Sequence, residues 1–90
     1  MNVELERKFL KDIPEIRSVA TLDNIEKIIS IVETAKKVND IPNIKKLKGH
    51  KTAYRIRTGV YRIGLYIEQS TARFVRILPR KDIYKYFPEK

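Results

Sequence analysis

Arginine carries a planar, permanently charged fork that matches the geometry of a phosphate group. Arg55, Arg57, Arg62, Arg76 and Arg80 stand in this sequence within three alternating runs, among aliphatic residues. Successive side chains of a strand point to opposite faces. The alternation therefore predicts arginines on one face of a sheet and Ile56, Ile63, Leu65, Ile67, Val75 and Ile77 on the other. Gly64 falls among the arginines without a side chain and predicts a hollow there. Such a cluster suits displacement at phosphorus, where charge builds on oxygens that fixed cations stabilise. Arginine stays protonated at any working pH, so it is a poor general base. A row of charges is more often a solvated face, but such faces usually mix signs, and the five arginines here are of one sign, with Glu68 alone at the far end of its strand. Tyr66, Phe74, Tyr84 and Tyr86 interleave with it and could stack on unpaired bases.

Other chemistry finds little support. There is no cysteine, His50 is the only histidine, and Glu68 and Asp82 stand alone in the basic half. His50, in Gly-His-Lys, reads as a surface-loop residue. Neither a metal nor a cofactor is expected, and no glycine-rich phosphate loop or serine–histidine–acid set occurs. Charge is divided between the halves. Residues 1–44 hold seven Lys/Arg against eight Asp/Glu, and residues 45–90 hold thirteen against three. That asymmetry points to a polyanionic partner facing the second half. At 90 residues the chain suits one domain, 1–90. The charged start has no secretory signal pattern and no apolar run approaches a membrane span, which predicts a cytoplasmic protein.

The elements that must position the arginines follow from periodicity. Residues 2–7 read as a short strand. Phe9, Leu10, Ile13 and Ile16 form a helical stripe interrupted by Pro14. Leu22, Ile25, Ile28, Ile29 and Val32 predict a second helix, with Thr21 as N-cap and an end near Lys36–Lys37. Residues 38–43 read as a loop. From Lys45 the period becomes two: a short strand at 45–49, then strands at 54–58, 61–68 and 73–80, joined by turns at 59–60 and 69–72. Residues 81–87 close as a helical or irregular tail. The predicted fold is α+β: two N-terminal helices cover one face of a three- to four-stranded, mainly antiparallel sheet, and the arginine face stays open.

The run KKLKGHKTAYRIRTGVYRIGLYIE followed by RFVRILPRKDIYKYF resembles the RelE branch of the RelE/ParE toxin superfamily, and the opening VELERKFLKDI is similar to that family's first strand and helix. The resemblance spans nearly the whole chain. It implies a type II toxin, a metal-independent endoribonuclease that cleaves messenger RNA on the ribosome by 2′-hydroxyl attack, neutralised by a cognate antitoxin protein. The family's catalytic positions fall on Arg55, Arg57, Arg62, Arg80 and Tyr84, with Tyr84 as base or stacking group. Lys46, Lys48, Lys51, Arg76, Lys81 and Lys85 are the expected RNA contacts. Two departures stand out: Val60 where the family often has Asp, and Pro79 where many members have His. The alternatives are a non-enzymatic basic RNA-binding or ribosome-associated protein, and a ParE-like gyrase inhibitor. The Arg57, Arg62, Arg80 and Tyr84 set favours RelE.

Overall fold

The alternating second half forms an antiparallel meander in the computed structural model, which describes residues 1–89. Its strands are β3 (Ala53–Thr58), β4 (Tyr61–Glu68) and β5 (Thr71–Pro79). Two-residue turns join them. Gly59 takes a left-handed φ of 61°, and Gln69 and Ser70 take φ of 49° and 65°, the paired left-handed conformations of a tight hairpin. The second turn is thus shorter than 69–72, and β5 begins at Thr71. β2 (Ile44–Lys46) pairs antiparallel with β3, and β1 (Asn2–Leu5) pairs parallel with β5. The order is β1-β5-β4-β3-β2. The fold class is the expected one, but the sheet has five strands, because both short segments join its edges.

Two helices, α1 (Arg7–Asp12) and α2 (Val19–Thr34), precede β2. Pro14 sits in a 3-10 turn, Ile13–Glu15, that ends α1 early. Ser18 rather than Thr21 caps α2: its hydroxyl accepts from the Thr21 amide at 3.2 Å. The helix stops at Thr34, short of Lys36–Lys37, because the Asp40 carboxylate accepts both of those lysines' amides, at 3.2 and 3.3 Å, and turns the chain away. Phe9, Ile16, Ile25 and Val32 from the helical layer meet Ile56, Ile63, Leu65, Ile67, Phe74 and Ile77 of the sheet in the main core. Phe9 and Phe74 pack edge to face at 5.5 Å.

The second face is only partly open. A third helix, α3 (Arg80–Tyr86), lies against it, and Ala53, Val75, Ile83 and Phe87 form a smaller core there. Val75 and Phe74 have exchanged the faces expected of them. The β4–β5 register shifts so that Leu65 faces Phe74 while Gly64 faces Arg76. Val75 is the extra residue of this bulge, which puts it on the same side as Arg76. Phe74, expected to stack on bases, is fully buried under α1.

Candidate nucleic-acid interface

The β3–β4 turn gathers four of the arginines. Arg57 and Arg62 face each other across the ladder, and Arg55 pairs with Gly64 one step along the same face. Arg80 opens α3, and its amide donates to the Val60 carbonyl at 2.8 Å, pinning the helix start to the turn. Tyr84 follows one turn later and is 56% exposed. Arg62 sits at the centre. Its pKa is pushed below the ordinary value, first by burial and then by repulsion from Arg55, Arg80 and Arg57, while Tyr84 pulls the other way. Its Nη1 donates to the Gly59 and Tyr61 carbonyls, both at 2.9 Å, and Arg55 Nη1 donates to the Asn43 carbonyl at 2.9 Å. Among the described residues no carboxylate forms an ion pair with Arg55, Arg57, Arg62 or Arg80.

These groups border an open hollow of about 840 Å³ lined by Arg62, Arg80, Lys81, Tyr84, Val60, Pro79 and Gly59. The two positions that depart from the family pattern, Val60 and Pro79, both line it. They make part of its wall apolar, beside the phenol of Tyr84 and the ammonium group of Lys81. On the other side of the same turn, a groove of about 450 Å³ runs between α2 and β3. Ile28, Ile31, Ile41 and Ile56 line it, with Lys27 and Arg57 at its rim.

The fifth arginine belongs elsewhere. Arg76 donates from Nε and Nη2 to the two carboxylate oxygens of Asp12, at 2.8 and 3.0 Å. Asp12 also accepts the Ile77 amide at 3.0 Å. The hydrogen bond and charge of Asp12 push the Arg76 pKa upward against the effect of burial. The reason is local. β1 covers β5 only from Thr71 to Phe74, which leaves the rest of that edge unpaired, and the end of α1 supplies a carboxylate to it. Arg76 also lies 5.1 Å over the Tyr86 ring. Its placement on an open arginine face is therefore corrected: its guanidinium is held inside an ion pair. Nearby, Arg73 pairs with Glu6 and lies over Tyr66. Tyr66 accepts the Glu89 amide at 2.9 Å and packs on Phe87, so it is not free to stack.

The lysines divide too. Lys46 lies on β2, and Lys48 and Lys51 lie in the β2–β3 connection, all exposed. Lys81 lines the hollow. Lys85 is exposed and pairs with Asp82 at 3.5 Å. No group of three or more His, Cys, Asp or Glu side chains is placed to hold a metal among the described residues, and no described helix is long and apolar enough to cross a membrane.

Sequence reasoning missed Asp12 and Phe87. Asp12 gave no local signal, since its partner is 64 residues away. The second core did leave marks. β5 carries two adjacent apolar pairs, Phe74–Val75 and Ile77–Leu78, and strict alternation sends one member of each to the second face. An isolated strand glycine, Gly64, signals a close approach of another group.

Comparison with known proteins agrees with this fold. No protein-family model matches the chain. It is 39% identical over 89 residues to toxin RelE3 of Methanocaldococcus jannaschii, covering 98% of this chain and all of that protein. Among solved structures, it is similar to a chain of the RelB–RelE antitoxin–toxin complex of Methanococcus jannaschii, with a TM-score of 0.80 and 36% identity over 94% of this chain and 99% of that one. A chain of the archaeal RelE–RelB complex of Pyrococcus horikoshii OT3 shares the fold at a TM-score of 0.72 and 19% identity, covering 88% of this chain and 93% of that one.

Proposed function

The chain belongs to the RelE toxin family, and we propose that it is the toxin of a RelBE-type toxin–antitoxin system, acting in the cytoplasm as a metal-independent endoribonuclease on ribosome-bound messenger RNA. The observation that carries this reading is Arg62, crowded by Arg55, Arg57 and Arg80 and, among the described residues, by no carboxylate, at the edge of an open hollow that Tyr84 also lines. Four unneutralised cations at one place repel each other, and a bound phosphate relieves that repulsion.

In the proposed reaction the 2′-oxygen of a nucleotide bonds to the adjacent phosphorus and the 5′-oxygen leaves. The products are a 2′,3′-cyclic phosphate and a 5′-hydroxyl. The proton lost by the 2′-hydroxyl balances the one gained by the leaving oxygen, so no water or oxidant is consumed. The arginine forks stabilise the charge that develops on the phosphorane oxygens. Tyr84 lies where it can exchange a proton or stack on the base beside the cleaved bond. Lys81, in the hollow, and Lys85, on the same helix, are the RNA-backbone contacts nearest the arginines, and Lys46, Lys48 and Lys51, on β2 and its connection to β3, carry that contact along the sheet away from the β3–β4 turn; Arg76 is withdrawn from that set by its ion pair.

The neutralising partner is a cognate antitoxin, as in the RelB–RelE complexes that this fold resembles. A segment with acidic and apolar side chains suits the pair of hollows that meet at Gly59: acids for Arg62 and Arg80 in one, apolar groups for Ile28 and Ile31 in the other.

The test is to express the protein alone and map the ends of a reporter transcript by primer extension. Growth arrest with new ends inside the reading frame is expected. Intact transcripts with blocked DNA supercoiling would establish the gyrase reading instead, and intact transcripts with normal growth would leave a binding protein.

A further inference from the structure

A catalytic tyrosine on a short helix is useful only if that helix is held still. α3 has seven residues, too few to be stable in water by itself. Its position must come from what it packs on.

The two faces of α3 differ. Arg80 and Tyr84, four residues apart, share the face that borders the hollow. Ile83 and Phe87, also four apart, point the other way and are completely buried, at 0% and 1% exposure. The Phe87 ring lies directly on Gly64 of β4. A methyl group added at Gly64 would stand 2.5, 2.6 and 2.9 Å from three ring carbons. Those distances are shorter than real contacts of a Cβ atom, and the ring is enclosed against Tyr66, 5.1 Å between centroids. The φ of Gly64 is not in the left-handed region. Absence of a side chain is therefore what this position supplies. The hollow that the sequence predicts among the arginines exists, and the protein's own Phe87 fills it.

We infer that Phe87, seated on Gly64, is a positioning residue for the proposed ribonuclease site: it locks α3 so that Tyr84 and Arg80 face Arg62. The lock has two ends. The Arg80 amide bound to Val60 fixes the start of α3, and Phe87 fixes its finish. Gly64 pairs with Arg55 on β3, so the seat belongs to the same ladder that carries the arginines. With the ring removed, the first turn stays attached while Tyr84 swings with the freed end. Phe87 itself is buried and touches no substrate.

This inference rests on the ribonuclease reading, so its test has one arm that needs no activity. Phe87→Ala, Phe87→Leu, Gly64→Ala and the double variant Gly64→Ala/Phe87→Ala are compared with the unsubstituted chain. The first arm is amide hydrogen exchange. Residues 82–86 should exchange at least about tenfold faster in Phe87→Ala and Gly64→Ala, while β3 and β4 keep their protection. The second arm is cleavage of a defined messenger on purified ribosomes. Both single variants should lose about tenfold or more in kcat with KM little changed, because a displaced reacting group slows chemistry more than it weakens binding.

Phe87→Leu, which refills most of the seat, should recover most of the rate. The double variant should be no slower than Phe87→Ala, since the methyl group added at position 64 then has no ring to strike. Unchanged exchange across α3 in Phe87→Ala, or a double variant slower by the product of the two single losses, overturns the inference. An unsubstituted chain that cleaves nothing overturns the ribonuclease reading, and the exchange arm then decides by itself whether Phe87 holds α3.

Discussion

Arg62 and Arg76 come from neighbouring strands, β4 and β5, on the same side of the sheet, yet the protein treats their charges in opposite ways. Arg76 receives both oxygens of the Asp12 carboxylate and is largely buried. Arg62 receives two backbone carbonyls and three arginine neighbours. One end of this face is neutralised by acids that the N-terminal segment delivers, Glu6 and Asp12. At the other end no carboxylate among the described residues pairs with Arg55, Arg57, Arg62 or Arg80. A fold that pairs its charges where they serve structure, and leaves them unpaired a few residues away, supports the anion site proposed for the unpaired end.

That contrast can be broken by exchange of roles. Arg62→Ala should lower the cleavage rate by about 100- to 1,000-fold, equivalent to about 2.7–4 kcal/mol of barrier. Thermal unfolding of this variant should occur no lower than in the parent, because the substitution relieves repulsion and opens no cavity. A loss of folding would mean that Arg62 serves structure as Arg76 does. Arg80→Ala should follow the same pattern.

Asp12→Ala should do the reverse. It leaves Arg76 unpaired and the Ile77 amide without an acceptor, for a loss of about 2–3 kcal/mol in urea unfolding. Activity per folded molecule should stay within a few-fold of the parent. Full stability in Asp12→Ala would show that the ion pair contributes nothing.

Smaller effects sharpen the outline of the site. Lys46→Ala should weaken binding to a single-stranded RNA by less than about 1 kcal/mol, and the salt dependence of binding should become shallower by about one counterion. An unchanged salt slope would remove β2 from the interface. Glu6→Gln, at a half-exposed pair with Arg73, should cost under about 1 kcal/mol in stability and leave RNA binding alone.

The sequence carried much of this division. Alternation from Ala53 to Pro79 was enough to gather Arg55, Arg57 and Arg62 on one face, since strand geometry is local. The apolar stripes placed α1 and α2 on the opposite face for the same reason. What failed was information held at long range. Alternation assumes an unbroken register, and the bulge at Val75 shifts it, which moved Phe74 into the main core. The Asp12–Arg76 pair depends on which residues of β5 are left uncovered by β1, a fact of tertiary assembly. The short tail at 81–87 read as helical or irregular because its helix is stabilised by Ile83 and Phe87 against the sheet and only weakly by its own seven residues.

The parallel pairing of β1 with β5 has a consequence for the order of assembly. It joins residues 69 apart, such as Glu4 and Arg73 (73 − 4), whereas β3, β4 and β5 are linked by turns of two residues. Closing so long a loop carries a larger entropic penalty than closing a hairpin, and long-range pairings are the slow ones. The meander with the arginines can therefore form early, while the strand that brings in Glu6 and Asp12 closes last. Until that closure, Arg73 and Arg76 lack the partners that hold them in the native fold, so the arginine face carries more unpaired charge before β1 docks than after.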